Sequence, residues 1–208
     1  MPGYFISFEG TEGCGKSTQI KIMASRLQKE GHDVVTLREP GGTDSGEEIR
    51  RLLKHGPDTL TAEAELLLMN ASRAQLVREI IRPALAEGSM VLCDRFYDST
   101  TAYQGHGRKL DLDLVESVIK IAAGNTVPDL TLLLDIPVRI SEQRRLNRAG
   151  TDRFEVCDRA FFDRVSHGYN ALAKAHPDRV VRIDSTQSVE TVSEVAWDFL
   201  IKKMKKDR

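Results

Sequence analysis

The sequence predicts an α/β fold, a five-stranded parallel sheet flanked by helices. Three observations carry it. Short apolar runs alternate with longer segments of helical period along the whole chain. The runs are apolar throughout, as strands buried on both faces are. The first run ends in a glycine-rich loop that opens directly onto a helical segment.

Tyr4 to Phe8 is rich in strand formers and bounded by glycine, so it reads as the first strand. Between Ser17 and Glu30, Ile20, Met23 and Leu27 fall at helical spacing, with Gly31 placed to end the helix. Asp33 to Leu37 is the second strand, and Glu47 to Lys54 a short helix. Ala62 to Glu87 reads as one long helix that Pro83 should bend or interrupt. Ser89 to Cys93 is the third strand, Asp111 to Ala123 a helix, and Leu130 to Leu134 the fourth strand. Helices are expected at Val138 to Asn147 and Arg159 to Ala175. Arg179 to Ile183 completes the sheet, and Val189 to Lys203 is the last helix.

Composition bounds what such a fold serves. The chain has 208 residues, enough for one domain with its own core. Thirty basic residues face 31 acidic ones, a net charge of −1, so no long-range pull toward nucleic acid or a membrane surface is written into it. No apolar run approaches 18 residues, so no membrane span is expected, and the N-terminus lacks a signal-peptide pattern. Cys14, Cys93 and Cys157 are odd in number and far apart, which favours a reducing compartment, the cytoplasm by default. The five histidines show no ligand spacing, and the lysines of the C-terminal tail read as a solvated helix end.

The loop after the first strand carries the chemistry. Gly10-Thr11-Glu12-Gly13-Cys14-Gly15-Lys16-Ser17 matches G-x-x-x-x-G-K-[ST] between a strand and a helix, with Thr18 next. Its glycines let backbone N–H groups turn inward around a polyphosphate. The helix adds its positive end. Lys16 supplies a mobile charge for the β and γ phosphates, and Ser17 a hydroxyl for Mg²⁺. The chain therefore binds a nucleoside triphosphate, and the acceptor is left open by this loop. No N-K-x-D base-reading stretch is present. A small-molecule kinase fits the arginine-rich segment late in the chain, where a lid closes over the phosphoryl group.

Several segments occur in a fixed order. They are Glu9-Gly10 through Thr18, Arg38-Glu39-Pro40-Gly41-Gly42-Thr43, Ser72-Arg73-Ala74, Asp94-Arg95-Phe96, Ala102-Tyr103-Gln104-Gly105 and Asp152-Arg153-Phe154-Glu155. In that order the chain resembles the thymidylate kinases over nearly its whole length. The resemblance implies a P-loop nucleoside monophosphate kinase-like fold in one domain. It implies ATP- and Mg²⁺-dependent phosphorylation of dTMP to dTDP, a lid at about 144–156, and a homodimer packed through helices.

It also implies roles. Arg95 contacts the acceptor phosphate, for which a guanidinium fork is suited. Asp94 either holds Mg²⁺, directly or through water, or accepts hydrogen bonds from the loop. Arg73 reads the thymine edge, Arg50 binds the dTMP phosphate, and Ser99, Thr100 and Gln104 line the nucleoside pocket. Tyr103 lies against the deoxyribose, where it crowds a 2′-hydroxyl. Glu39 either orients the acceptor or stabilises its loop. The sequence departs from the family at Met69, where phenylalanine commonly stacks on the base. The loop holds Glu12 where some members place an arginine. The form without that arginine takes it from the lid, so Arg148 and Arg153 are the expected closing pair, with Glu12 meeting a lid arginine. Another nucleotide kinase, or an ATP-binding module without phosphotransfer, are the alternatives.

Overall fold

β1 (Tyr4–Glu9) runs through the middle of a five-stranded sheet, between β3 (Met90–Asp94) and β4 (Leu130–Asp135). β2 (Val34–Arg38) and β5 (Val180–Asp184) form the edges, giving the order β2-β3-β1-β4-β5 with every pair parallel. The expected sheet is present. The structure is a computed structural model that describes residues 3–57, 59–146 and 157–206. After β1 the chain crosses to one side of the sheet, and after β3 it crosses to the other. The two departing loops leave a crevice beyond the carboxyl ends of β1 and β3, where ligands of such sheets bind.

Alternation along the strands divides the core. Ile6 and Phe8 face α1 (Lys16–Lys29) and α9 (Val189–Lys206), packing with Ile20, Met23, Leu27, Trp197 and Leu200. Phe5, Val91 and Cys93 face the other way, onto Leu76, Val77 and Ile81. Each fully buried leucine here contributes about 2 kcal/mol by leaving water. The polar Ser7 and Thr131 are also fully buried and bond each other across 2.8 Å, so their hydroxyls stay satisfied.

The helices differ from expectation in three places besides the end of α9, which runs three residues past Lys203. α2 (Asp44–His55) starts three residues early, because the Thr43 hydroxyl accepts from Gly46 N and caps it. The long helix is not broken at Pro83. It runs as α3 (Ala62–Leu76), a π-helical stretch Val77–Ile81 and α4 (Arg82–Ala86). Pro83 lacks an N–H and its ring crowds the carbonyl four residues back. The wider turn before it, where Arg82 N donates to the Val77 carbonyl, absorbs that defect. Thirdly, α5 (Tyr97–Thr100) and a π-helical stretch Thr101–Gly107 occupy a segment with no helical expectation. α6 (Leu112–Ala123), α7 (Val138–Leu146) and α8 (Arg159–Ala175) follow, with Asp111 and Asp158 as N-caps of α6 and α8.

Candidate active site

The loop between β1 and α1 needs its glycines. Gly10, Gly13 and Gly15 have φ of 131°, 76° and 98°. A Cβ at Gly10 would lie 2.3 Å from the Leu134 carbonyl oxygen. Lys16 Nζ donates to the carbonyls of Gly10 (3.1 Å) and Thr11 (3.2 Å), which holds the ammonium over the loop. Cys14 is buried and its carbonyl accepts from Ser185 Oγ at 2.6 Å, so the turn after β5 braces the loop. Ser17 Oγ donates to Asp94 Oδ2 at 3.0 Å. Of the two readings of Asp94, hydrogen bonding from the loop is visible directly. The same contact sets a hydroxyl beside a carboxylate, a hard-oxygen pair of the kind Mg²⁺ takes together with phosphate oxygens and water. Among the described residues no cluster of three His, Cys, Asp or Glu forms an all-protein metal cage.

Arg95 stands at the centre. It follows β3 with φ of 73°, a left-handed backbone uncommon outside glycine. Its Nη2 donates to Glu12 Oε1 (2.9 Å) and the Tyr103 hydroxyl (3.2 Å). Its Nη1 donates to Ser99 Oγ (3.0 Å) and the Tyr169 hydroxyl (3.1 Å). The Tyr103 hydroxyl in turn donates to both Glu12 oxygens, at 2.8 and 2.7 Å. Burial pushes both phenols up, so they remain O–H donors.

Beneath Arg95 lies Glu9, fully buried. Its carboxylate accepts from Phe96 N (2.7 Å), Ser99 Oγ (2.5 Å) and the Tyr169 hydroxyl (3.1 Å). Ser99 and Tyr169 thus link the guanidinium to Glu9 by two parallel paths. Burial is the largest cause raising the Glu9 pKa, to about 7, with the Asp98 carboxylate adding to it and the bonds from Ser99 and Phe96 opposing. Asp98 is held bidentately by Arg179, at 2.6 and 2.9 Å.

On the far side, Arg73 is 2% exposed and pairs with Glu39 through Nε (2.9 Å) and Nη2 (2.6 Å), while Nη1 donates to Asn70 Oδ1 (2.8 Å). Glu39 Oε1 is buried without a partner. Burial raises the Glu39 pKa, against the pull of Arg73. Gln104 donates to Glu65 Oε1 at 2.8 Å, and Arg50 Nη1 to the Pro40 carbonyl at 2.8 Å.

These groups border one cleft of about 240 Å³. Glu12, Gly13, Gly15, Lys16, Ser17 and Thr18 form one wall, and Glu39, Arg50, Met69, Arg73, Asp94, Arg95, Ser99, Thr100, Tyr103 and Gln104 line the cleft elsewhere. Gly10, Thr11 and Cys14 shape the loop from behind. Arg148 and Arg153 lie outside the described residues. Arg144, at the start of the expected lid, donates to the Gly13 carbonyl at 2.8 Å and so tethers α7 to the phosphate loop.

Comparison with known proteins decides the family. A model of the thymidylate kinase family matches residues 8–195. The chain belongs to that family. It is 48% identical to the thymidylate kinase of Geobacter sulfurreducens, over 97% of this chain and 98% of that protein. It is 44% identical to the thymidylate kinase of an Exiguobacterium species, over 98% and 97%. The crystal structure of thymidylate kinase from Ehrlichia chaffeensis resembles it with a TM-score of 0.79 at 32% identity, covering 96% of this chain and 99% of that one.

Within this family member, several cleft residues escaped the sequence reading. Arg38, Pro40, Lys54 and Phe96 also line the cleft, and Phe96 sets its ring 5.4 Å from the Arg73 guanidinium. Arg38, Pro40 and Phe96 sat within motifs already singled out, which was a usable signal. Tyr169 lies on a helical segment far from any motif, and Glu65 two turns before Ser72-Arg73-Ala74 on the same helix, where no sequence signal marked it.

Glu9 makes folding pH-dependent with a definite sign. Between its ordinary value of 4.5 and about 7, the folded chain keeps a proton that the unfolded chain has released. Its contribution is full below 4.5 and is lost as pH rises toward 7, by on the order of 3 kcal/mol. Urea unfolding of wild type from pH 4.5 to 7.5 should show this decline, and Glu9→Gln should flatten it. Identical slopes in the two proteins would remove Glu9 as the cause.

Proposed function

We propose that this chain transfers the γ-phosphoryl group of ATP to dTMP, giving dTDP for dTTP synthesis. The observation that supports it best is the juxtaposition, in one cleft, of a phosphate loop and the buried Arg73–Glu39 and Gln104 pocket, with Arg95 between them. A nucleoside triphosphate on the loop and a nucleoside monophosphate in the pocket would meet at Arg95.

The residues divide the work by their chemistry. The loop from Gly10 to Thr18 takes the donor phosphates on its N–H groups, and Lys16 exchanges its carbonyl partners for phosphate oxygens. Ser17 and Asp94 would hold Mg²⁺, which when bound neutralises the charge on the donor phosphates. Arg95 and Arg50 take the acceptor phosphate, and Arg95 is already oriented by Glu12, Ser99 and the two tyrosines. These partners hold the guanidinium fork in place until phosphate oxygens displace some of them. Arg73 donates to a base carbonyl, and Met69 packs on the base face with a thioether in place of an aromatic ring. The Tyr103 ring, held by Glu12, excludes a ribose 2′-hydroxyl. Thr100 borders the same pocket. Glu39 keeps Arg73 in place and compensates its buried charge.

The acceptor panel tests this directly. Coupled ADP release should be fastest with dTMP among dTMP, dUMP, UMP, CMP, AMP and GMP. Any ribonucleotide turned over faster than dTMP overturns the reading. A chain that binds ATP without acceptor-dependent ADP release would be a module without phosphotransfer.

The chain is one catalytic domain with a lid at about 144–156, whose Arg148 and Arg153 close over the phosphoryl group and exclude water. Arg153→Ala should lower kcat by more than about tenfold, the scale of losing a transition-state donor. Unchanged turnover would move the closing role to another residue.

The protein is a cytoplasmic homodimer. No described helix is long and apolar enough to cross a membrane, and Cys14, Cys93 and Cys157 form no disulfide among the described residues. Leu67 on α3 and Leu114 and Ile121 on α6 stand 59%, 46% and 76% exposed on two helices packed side by side. A second copy covers that apolar face. Sedimentation equilibrium should return twice the chain mass, and Ile121→Glu should shift it toward one chain. A wild-type monomer at micromolar concentration would exclude the dimer.

A further inference from the structure

We propose that Glu65 is a specificity-determining positioning residue: it fixes which end of the Gln104 amide faces the cleft, and so selects pyrimidines with a C4 carbonyl over those with a C4 amino group. The inference rests on the reading above that the acceptor is a pyrimidine nucleotide.

Glu65 lies on α3, 1% exposed. Arg108, just after the π-helical stretch, donates to it through Nη2 (to Oε2, 3.0 Å) and Nε (to Oε1, 3.2 Å). An ion-paired carboxylate only accepts hydrogen bonds. Gln104, also 1% exposed, must therefore turn its NH₂ group toward Glu65, as the 2.8 Å bond from Nε2 to Oε1 shows. The reversed amide would set its carbonyl oxygen, unpaired and repelled, against a buried carboxylate. Gln104 thus offers its carbonyl oxygen to the cleft it lines.

The opposite partner has a fixed polarity too. Arg73 donates only, and its guanidinium is clamped by Glu39 and Asn70. The pocket presents one acceptor and a donor. A base with N–H at N3 and a carbonyl at C4 matches that pair. A base with a bare N3 and an amino group at C4 opposes it at both atoms, and leaves buried groups unpaired. The discriminating element is therefore a charge outside the base-contacting layer. Neither Glu65 nor Arg108 is needed to touch the nucleotide.

The test is the ratio of kcat/KM for dTMP, dUMP and dCMP. Wild type should prefer dTMP over dCMP by about 100-fold or more. Glu65→Gln gives Gln104 a neighbour that both donates and accepts, so the amide reverses freely. The dTMP-to-dCMP ratio should then fall by about tenfold or more. The dTMP-to-dUMP ratio should stay put, because those two bases share the same edge. A merely structural role would lower all three substrates together and leave both ratios unchanged, which overturns the proposal. The double variant Glu65→Gln, Arg108→Gln removes both charges and should show the same loss of ratio if the single variant folds poorly. A wild-type preference below about tenfold overturns the proposal with no variant at all. Wild type that phosphorylates neither dTMP nor dUMP instead overturns the function on which the proposal stands.

Discussion

Glu9 is the joint on which the site is built. A carboxylate at the end of the central strand, fully buried, gathers the Phe96 N–H, the Ser99 hydroxyl and the Tyr169 hydroxyl. Those three groups come from the turn after β3, from α5 and from α8. The left-handed backbone at Arg95 is a strained conformation that persists only where its surroundings over-determine it. Here they do: Arg95 N donates to the Phe8 carbonyl, the next residue's N–H is fixed by Glu9, and the guanidinium rests on Ser99 and Tyr169. Removing the carboxylate would free the turn, and with it the direction of the Arg95 side chain.

The same logic of compensation explains the near-neutral sequence. Four buried or half-buried arginines, two of them in the cleft, are each matched to an acid: Arg95 to Glu12, Arg73 to Glu39, Arg108 to Glu65 and Arg179 to Asp98. An unpaired charge at such depth is strongly destabilising, so each cation brings an anion. The balance of 30 against 31 is thus partly a count of these pairs. They add little net stability over an apolar core. Their return is geometry, because a clamped guanidinium presents its free donors in one direction.

What was legible in the sequence follows from range. The strands and most helices come from period and capping over a few residues. The phosphate loop is a contiguous pattern whose backbone demands glycine at set positions, so Gly10 to Ser17 was readable as chemistry. Arg73, Arg95 and Tyr103 entered through resemblance, since nothing local distinguishes a clamped arginine from a solvated one. Glu65, Arg108 and Tyr169 were invisible for the same reason: their partners lie 39, 43 and 70 residues away or more, and polar pairing leaves no period. The long helix was found, but its accommodation of Pro83 by a π turn was not, because that choice depends on the packing of Val77 and Ile81 against the sheet.

The segment from Tyr97 to Gly107 shows how packing overrides propensity. Its glycines and polar residues argue against a helix. Yet neighbours leave Gly107 no room for a Cβ, and crowd one at Gly105. One at Gly105 would meet Leu112 Cδ2 at 2.7 Å, and one at Gly107 the Phe161 ring at 2.6 Å. Gly168 on α8 answers from the other side, where a Cβ would press on the His106 ring at 2.8 Å. Gly107 and Gly168 thus let α8 lie close against this stretch. The approach sets Tyr169 within reach of Arg95 and Glu9, while the widened turn carries Tyr103 and Gln104 into the cleft. The local cost in helix propensity is offset by buried contacts with Phe161, Val165 and Tyr169. A bulkier residue at Gly107 would therefore push on Phe161 and Val165 of α8, and through that helix shift Tyr169 against Arg95 and Glu9.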